Sequence, residues 1–277
     1  MIVNAALTGC VHKRDDSLYV PMTPNEIAKD VYKCARAGAN IFHIHAREKR
    51  DRAFEPAWSL YDYQYAVKRI REIEPSAIIC LSTSGRHWQD FYKRADCLYV
   101  DPPPDMASLT MGSYNTFDSV SINPPETIRN LAEFMKKRGI RPELECFDIG
   151  HIHYAKHLID KGVLERPFYF NLFLGNLGTV KADRSMMEFM INELPEGAYW
   201  SATGIGKYQF EIECLAVILG GGVRVGLEDY LWWSEGKLQH ATNEGMVRRI
   251  VEFAASMGAN PYTPEEVRAK LCLRSSC

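Results

Sequence analysis

No apolar run in the chain approaches the roughly 20 residues needed to span a bilayer, so no membrane segment is expected. The opening Met1-Ile2-Val3-Asn4-Ala5-Ala6-Leu7 lacks a basic stretch followed by a long apolar one, and we expect no signal peptide and a cytoplasmic location. Excess charge of one sign is also missing. The 33 Lys and Arg nearly balance the 35 Asp and Glu, leaving a net charge of −2 and no basic field to draw in nucleic acid or an anionic membrane. Cysteine is present (Cys10, Cys34, Cys80, Cys97, Cys146, Cys214, Cys272 and Cys277), but no two form a C-x-x-C pair, which leaves a zinc ribbon or thioredoxin-like site without support. Several sit in apolar runs such as Ile78-Ile79-Cys80-Leu81 and read as buried, reduced thiols. There is no internal repeat, low-complexity tract or Gly/Ser-rich linker, so residues 1–277 are expected to form one domain.

What is present is an alternation. Short β-rich apolar runs at residues 2–7, 41–45, 77–81, 106–109, 143–147, 168–172, 199–202 and 223–225 predict strands buried on both faces, as in a parallel sheet. Between them lie helix signals. Thr23-Pro24-Asn25-Glu26 offers an N-cap, a Pro in the first turn and an early acid, ahead of a helix ending near Gly38. Asn123-Pro124-Pro125-Glu126 and Thr263-Pro264-Glu265-Glu266 repeat the pattern, and further helices are expected over 57–73, 151–161, 184–193, 208–219 and 243–257. Eight strands, each followed by a helix or a helix-compatible loop, point to an α/β fold of the (β/α)8 TIM-barrel type, with a doubly wound open sheet as the alternative.

The sharpest motif is Ile41-Phe42-His43-Ile44-His45-Ala46-Arg47. Residues two apart on a strand share a face, so His43 and His45 project together at the strand's C-terminal end, where barrel active sites lie. Paired imidazoles suit a metal of the zinc class, although two hydrogen-bonded interior histidines would read the same way. Gly220-Gly221-Gly222-Val223-Arg224-Val225-Gly226-Leu227-Glu228-Asp229 spans the last strand and the loop after it. Glu228 could complete a two-histidine, one-carboxylate shell, with Asp229 held by Arg224 as a general base; a surface turn with a capping acid is the plain alternative. Ser82-Thr83-Ser84-Gly85-Arg86 after the third strand makes a seat for a carboxylate or oxyanion, and Met106-Ala107-Ser108-Leu109 offers Ser108. Glu143-Leu144-Glu145 puts two carboxylates on one strand face, where at least one needs a partner. His153 and His157 are one helical turn apart, but a solvated helix face explains them better than a metal. Trp232-Trp233 marks a candidate subunit interface.

In this order the motifs resemble the β-keto acid cleavage enzymes. The resemblance runs from Ala5-Ala6-Leu7-Thr8-Gly9 to the Thr263-Pro264-Glu265-Glu266 helix and includes Pro21-Met22-Thr23-Pro24, Gly204-Ile205-Gly206 and Arg224-Val225-Gly226-Leu227-Glu228-Asp229. It implies a zinc-dependent, homotetrameric barrel that condenses a β-keto acid with acetyl-CoA and releases acetoacetate and a new acyl-CoA. The resemblance places the metal on His43, His45 and Glu228, makes Asp229 with Arg224 the proton-abstracting dyad, and assigns substrate contacts to Ser82, Thr83, Gly85, Ser108 and Glu145. Manganese, iron or cobalt would fit the same ligands. Members acting on amino-substituted substrates carry a Glu two residues after the first-strand Thr-Gly; here that place is Val11, so an amine-bearing substrate is disfavoured. A metal-dependent aldolase or hydrolase on the same barrel, and a non-catalytic scaffold with a structural metal, are the rival readings.

Overall fold

The computed structural model describes residues 1–51, 53–116 and 119–274; the expectation for Cys277 falls outside them. The apolar runs become eight strands: β1 (Val3–Ala6), β2 (Ile41–Ile44), β3 (Ile78–Leu81), β4 (Met106–Thr110), β5 (Arg141–Cys146), β6 (Tyr169–Leu174), β7 (Tyr199–Gly204) and β8 (Gly222–Val225). All pair in parallel, and β8 returns to β1 through Val3↔Val223, Asn4↔Arg224 and Ala5↔Val225, closing the barrel. Between and after them run α1 (Pro24–Ala37), α2 (Leu60–Ile73), α3 (Phe91–Asp96), α4 (Pro125–Arg138), α5 (Ile149–Asp160), α6 (Arg184–Glu193), α7 (Gln209–Ile218), α8 (Asn243–Ser256) and α9 (Pro264–Leu271). The fold is the (β/α)8 barrel that the alternation indicates.

Local chemistry sets the element ends. Thr23 and Thr263 close reciprocal capping boxes with Glu26 and Glu266, and Gly38 ends α1 in the left-handed region. Some ends differ from expectation. Helix α2 starts at Leu60 because Ser59 caps it, and α5 starts at Ile149 because Asp148 does. Strand β5 starts at Arg141; Pro142 is tolerated because the β6 partner residues begin only opposite Glu143. Hairpins Arg47–Arg50/Ala53–Pro56 and Tyr114–Asn115/Val120–Ser121 leave the barrel after β2 and β4, and neither carries an apolar run that would announce it.

Alternate strand residues face the barrel axis, and their chemistry is graded along it. At the N-terminal end Ile2, Ile41, Ile78, Met106 and Tyr169 cluster with Val267 and Leu271 of α9, which plugs that end. Outward residues such as Phe42, Ile44, Leu81, Leu144 and Leu172 join the main core beneath the helices. Polar and charged inward residues collect toward the C-terminal mouth. Cys34, Cys80, Cys97 and Cys146 are buried free thiols, whereas Cys10 and Cys214 are half-buried and Cys272, just beyond α9, is exposed. Among the described residues no helix is long and apolar enough to cross a membrane.

Candidate active site

The His-x-His spacing works as period-2 geometry requires. His43 near the end of β2 and His45 just after it bring their rings to 5.1 Å between centroids, and both side chains are buried. Glu228, in the loop after β8, reaches back over them: its Oε1 lies 3.2 Å from His45 Nε2 and 3.8 Å from His43 Nε2. The close turn Thr8-Gly9 makes room. Gly9 has φ +63°, and a Cβ there would sit 2.7 Å from Glu228 Cγ. Arg47, the last residue of the histidine motif, ties that turn down by donating to the Gly9 and His12 carbonyls at 3.0 and 2.9 Å.

The residues present fit a divalent metal. The ligand atoms of His43, His45 and Glu228 all lie within 4.8 Å of one another, and buried Glu228 Oε2 has no hydrogen-bond partner among the described residues. His43 Nδ1 donates to Glu143 Oε2 at 2.9 Å, so in the neutral ring it is Nε2 that carries the lone pair a metal takes. Burial pushes the His45 pKa down to about 4, holding that ring neutral, whereas at His43 the Glu228 and Glu143 carboxylates outweigh burial and raise the pKa. For Glu228, burial opposes ionisation, but His45, Arg224 and His43 outweigh it and hold the carboxyl well below the usual range.

Glu143 is the acid that the sequence flagged without giving it a partner. It is fully buried, and besides His43 it accepts from Asn4 Nδ2, Asn171 Nδ2 at 2.9 Å and Cys80 Sγ at 3.3 Å. Burial works against its charge, yet His43 and Arg224 bring its pKa down to about 2. Glu145, two residues on, accepts from Thr110 Oγ1 at 2.7 Å; burial and then the Glu143 charge push it up to about 7.

Arg224 is fully buried on β8 and binds three carboxylates: Asp229 Oδ2 at 2.9 Å, Glu228 Oε1 at 2.9 Å and Glu145 Oε1 at 3.7 Å. Its guanidinium also caps Phe173, 4.8 Å from the ring centroid. Phe173 stacks on Phe147 at 4.2 Å, and Phe147 stacks on Tyr114 of the second hairpin at 3.8 Å. Burial and then the Glu228 charge raise the Asp229 pKa, while Arg224 opposes the rise. This aromatic column is absent from the sequence reading, since its rings come from three separate segments.

A cavity of about 300 Å³ opens at the mouth. His43, His45, Ser82, Glu145, Arg224, Glu228 and Asp229 all line it. The remaining expected contacts sit elsewhere. Thr83 lines a smaller adjoining recess, and its hydroxyl donates to the Ser108 carbonyl at 2.6 Å. Ser108 Oγ accepts from Thr83 N at 3.2 Å, and Gly85 packs against the Ile122 carbonyl. On α5 exposed His153 pairs with Glu193 at 3.3 Å, and Trp232 stacks on His240 at 4.0 Å, covering part of the apolar surface expected to face a subunit.

A parallel (β/α)8 barrel with two imidazoles, a shared carboxylate and an Arg–Asp pair converging at its C-terminal mouth has the layout of a barrel enzyme with a candidate metal centre. The chain belongs to the β-keto acid cleavage enzyme family, whose model matches residues 1–273. It is 33% identical to a 3-keto-5-aminohexanoate cleavage enzyme of Fusobacterium nucleatum over 275 residues, 99% of this chain and 98% of the relative. It is also 33% identical to a 3-dehydrocarnitine:acetyl-CoA trimethylamine transferase of Rhizobium meliloti, over 99% of this chain and 96% of that one. Among solved structures, ObcA in binary complex with oxaloacetate superposes with a TM-score of 0.80 at 23% identity, covering 94% of this chain and 68% of ObcA, a likeness of fold.

Proposed function

We propose that the chain is an acyltransferase that cleaves a β-keto acid with acetyl-CoA, giving acetoacetate and a new acyl-CoA. The observation that carries this reading is the meeting of His43, His45 and Glu228 beside the Arg224–Asp229 pair in one cavity. We assign His43, His45 and Glu228 as ligands of a zinc ion; manganese, iron or cobalt would suit the same donors. A divalent ion held there supplies Lewis-acid polarisation of the substrate's keto oxygen, which makes the neighbouring methylene acidic. Asp229 is the base that takes that methylene proton, and Arg224 fixes its carboxylate through the 2.9 Å contact. The resulting carbanion displaces CoA from the acetyl thioester. The freed thiolate attacks the original keto carbon, and the bond from that carbon to the former methylene breaks. The products are acyl-CoA and the acetoacetate carbanion, to which Asp229 returns the proton.

Ser82 and Glu145 line the cavity and are assigned to substrate contact; Thr83, Gly85 and Ser108 are assigned to holding the Ser82 loop in shape. The same proposal takes residues 1–277 as one domain of a cytoplasmic homo-oligomer, a tetramer by family resemblance. The test is a panel of β-keto acids incubated with acetyl-CoA, with acetoacetate and acyl-CoA quantified. Equal formation of both products, absent without acetyl-CoA, is expected. Thioester-independent turnover would instead select the aldolase or hydrolase reading.

A further inference from the structure

We propose that the substrate's side group, remote from the reacting carboxylate, is itself anionic, and that Arg86 is the residue that reads it; this deepens the β-keto acid reading and rests on it. The cavity is divided by charge. Its three carboxylates, Glu145, Glu228 and Asp229, lie at the inner end and all engage Arg224. The rest of the described lining, which includes Val11, Arg86, Tyr114, Thr116, Asn176 and Ile205, holds no acid.

Arg86 is half-buried there, and among the described residues its guanidinium has neither a carboxylate within 4.0 Å nor a hydrogen-bond acceptor. A partly desolvated guanidinium without a counter-charge is a seat for an anionic ligand. Its loop is pinned rather than free: Arg86 N donates to Ser84 Oγ at 3.2 Å, and His87 Nε2 meets the Cys10 carbonyl at 3.2 Å, fastening the loop across the turn after β1.

The aromatic wall agrees. Phe147 has one face on Tyr114 and the other on Phe173, and Phe173 has its second face under Arg224. With both faces covered, Phe147 and Phe173 have only their edges left for the cavity they line. Ring edges are the positive part of the aromatic quadrupole, so they tolerate an anion and give a cation nothing. Val11 adds no charge to the same lining, and among the described residues no acid stands there beyond the three that engage Arg224. The ligand class is therefore a 3-oxo dicarboxylate.

The test is calorimetric binding to the metal-loaded enzyme without acetyl-CoA, comparing a 3-oxo dicarboxylate with the 3-oxo monocarboxylate in which a methyl replaces the second carboxylate. The diacid is expected to bind about tenfold or more tightly, the scale of a charge-assisted pair. Arg86→Gln should erase that preference, leaving monoacid affinity and the KM for acetyl-CoA within about twofold, while Arg86→Lys should keep part of it. Equal affinity of the wild type for both acids, or tighter binding of an amino-bearing one, overturns the proposal. So does an equal loss for both acids in Arg86→Gln, which would put Arg86 on the reacting carboxylate, or a rise confined to the acetyl-CoA KM, which would put it on a CoA phosphate. Because binding is read without turnover, failure of every β-keto acid to react would count against the catalytic reading alone.

Discussion

Glu143 shows what one buried residue does for a site it does not enter. Its two oxygens receive His43 Nδ1, Cys80 Sγ and the Asn4 and Asn171 amides, so its charge is satisfied from four sides. A carboxylate with that many donors orients the imidazole and raises its basicity toward a metal. Glu143→Gln replaces one acceptor oxygen by an amide that faces donors. Metal affinity is expected to fall about 10- to 100-fold, with unchanged far-UV circular dichroism and recovery of turnover in excess metal. Measured metal affinity equal to wild type would dispose of this role. Gly9→Ala tests the other side of the centre: a Cβ 2.7 Å from Glu228 Cγ at φ +63° must displace the Glu228 stem, so metal retention and turnover should fall together while the barrel still folds. His43 and His45 were legible because they lie two residues apart at the end of one strand. The partnership of His43 with Glu143 was not, since those residues are 100 positions apart and meet only when the barrel closes.

At the scale of elements, alternation and capping residues were readable wherever the signal is local. Apolar runs announced every barrel strand, and Thr-Pro-x-Glu announced α1 and α9. The six-residue α3 was read only as helix-compatible loop, being too short for a period to show, and the two hairpins depend on pairing rather than on apolar pattern. The contact of α1 with α8 carries a prediction of its own. Asp30 on α1 accepts from Asn243 Nδ2 at 2.6 Å, and burial, despite that bond and Lys33, raises its pKa to about 6. The folded chain thus holds a proton that the unfolded chain releases near pH 4. Stability from this group is full below pH 4 and declines as pH rises toward 6. Asp30→Asn keeps an acceptor for Asn243 and removes the charge. Its melting temperature should exceed wild type at pH 7.5, by the equivalent of about 1 kcal/mol after solvent screening, and the gap should vanish near pH 4. A gap of the same size at both pH values would show that the charge is not its source.

For the whole molecule, the grading of the barrel separates what folds it from what it does. The plug of α9 against Ile2, Ile41, Ile78 and Met106, and the helix layer over Phe42, Ile44, Leu144 and Leu172, use no residue of the mouth. The charged constellation sits above them, on strand ends and the loops after β1, β2, β3 and β8. A metal bound there stabilises the folded state by linkage, about 2.7 kcal/mol at a hundredfold excess over Kd, but does not create it. Chelation should therefore abolish turnover, leave far-UV circular dichroism intact and lower the melting temperature by roughly 5–10 °C, the change that such a linkage energy produces in a chain of this size. Re-addition of the ion should restore both properties. The scaffold reading makes the opposite forecast, because a structural ion is needed to hold the fold: chelation would then collapse the circular dichroism signal, and loss of activity would merely follow the loss of structure.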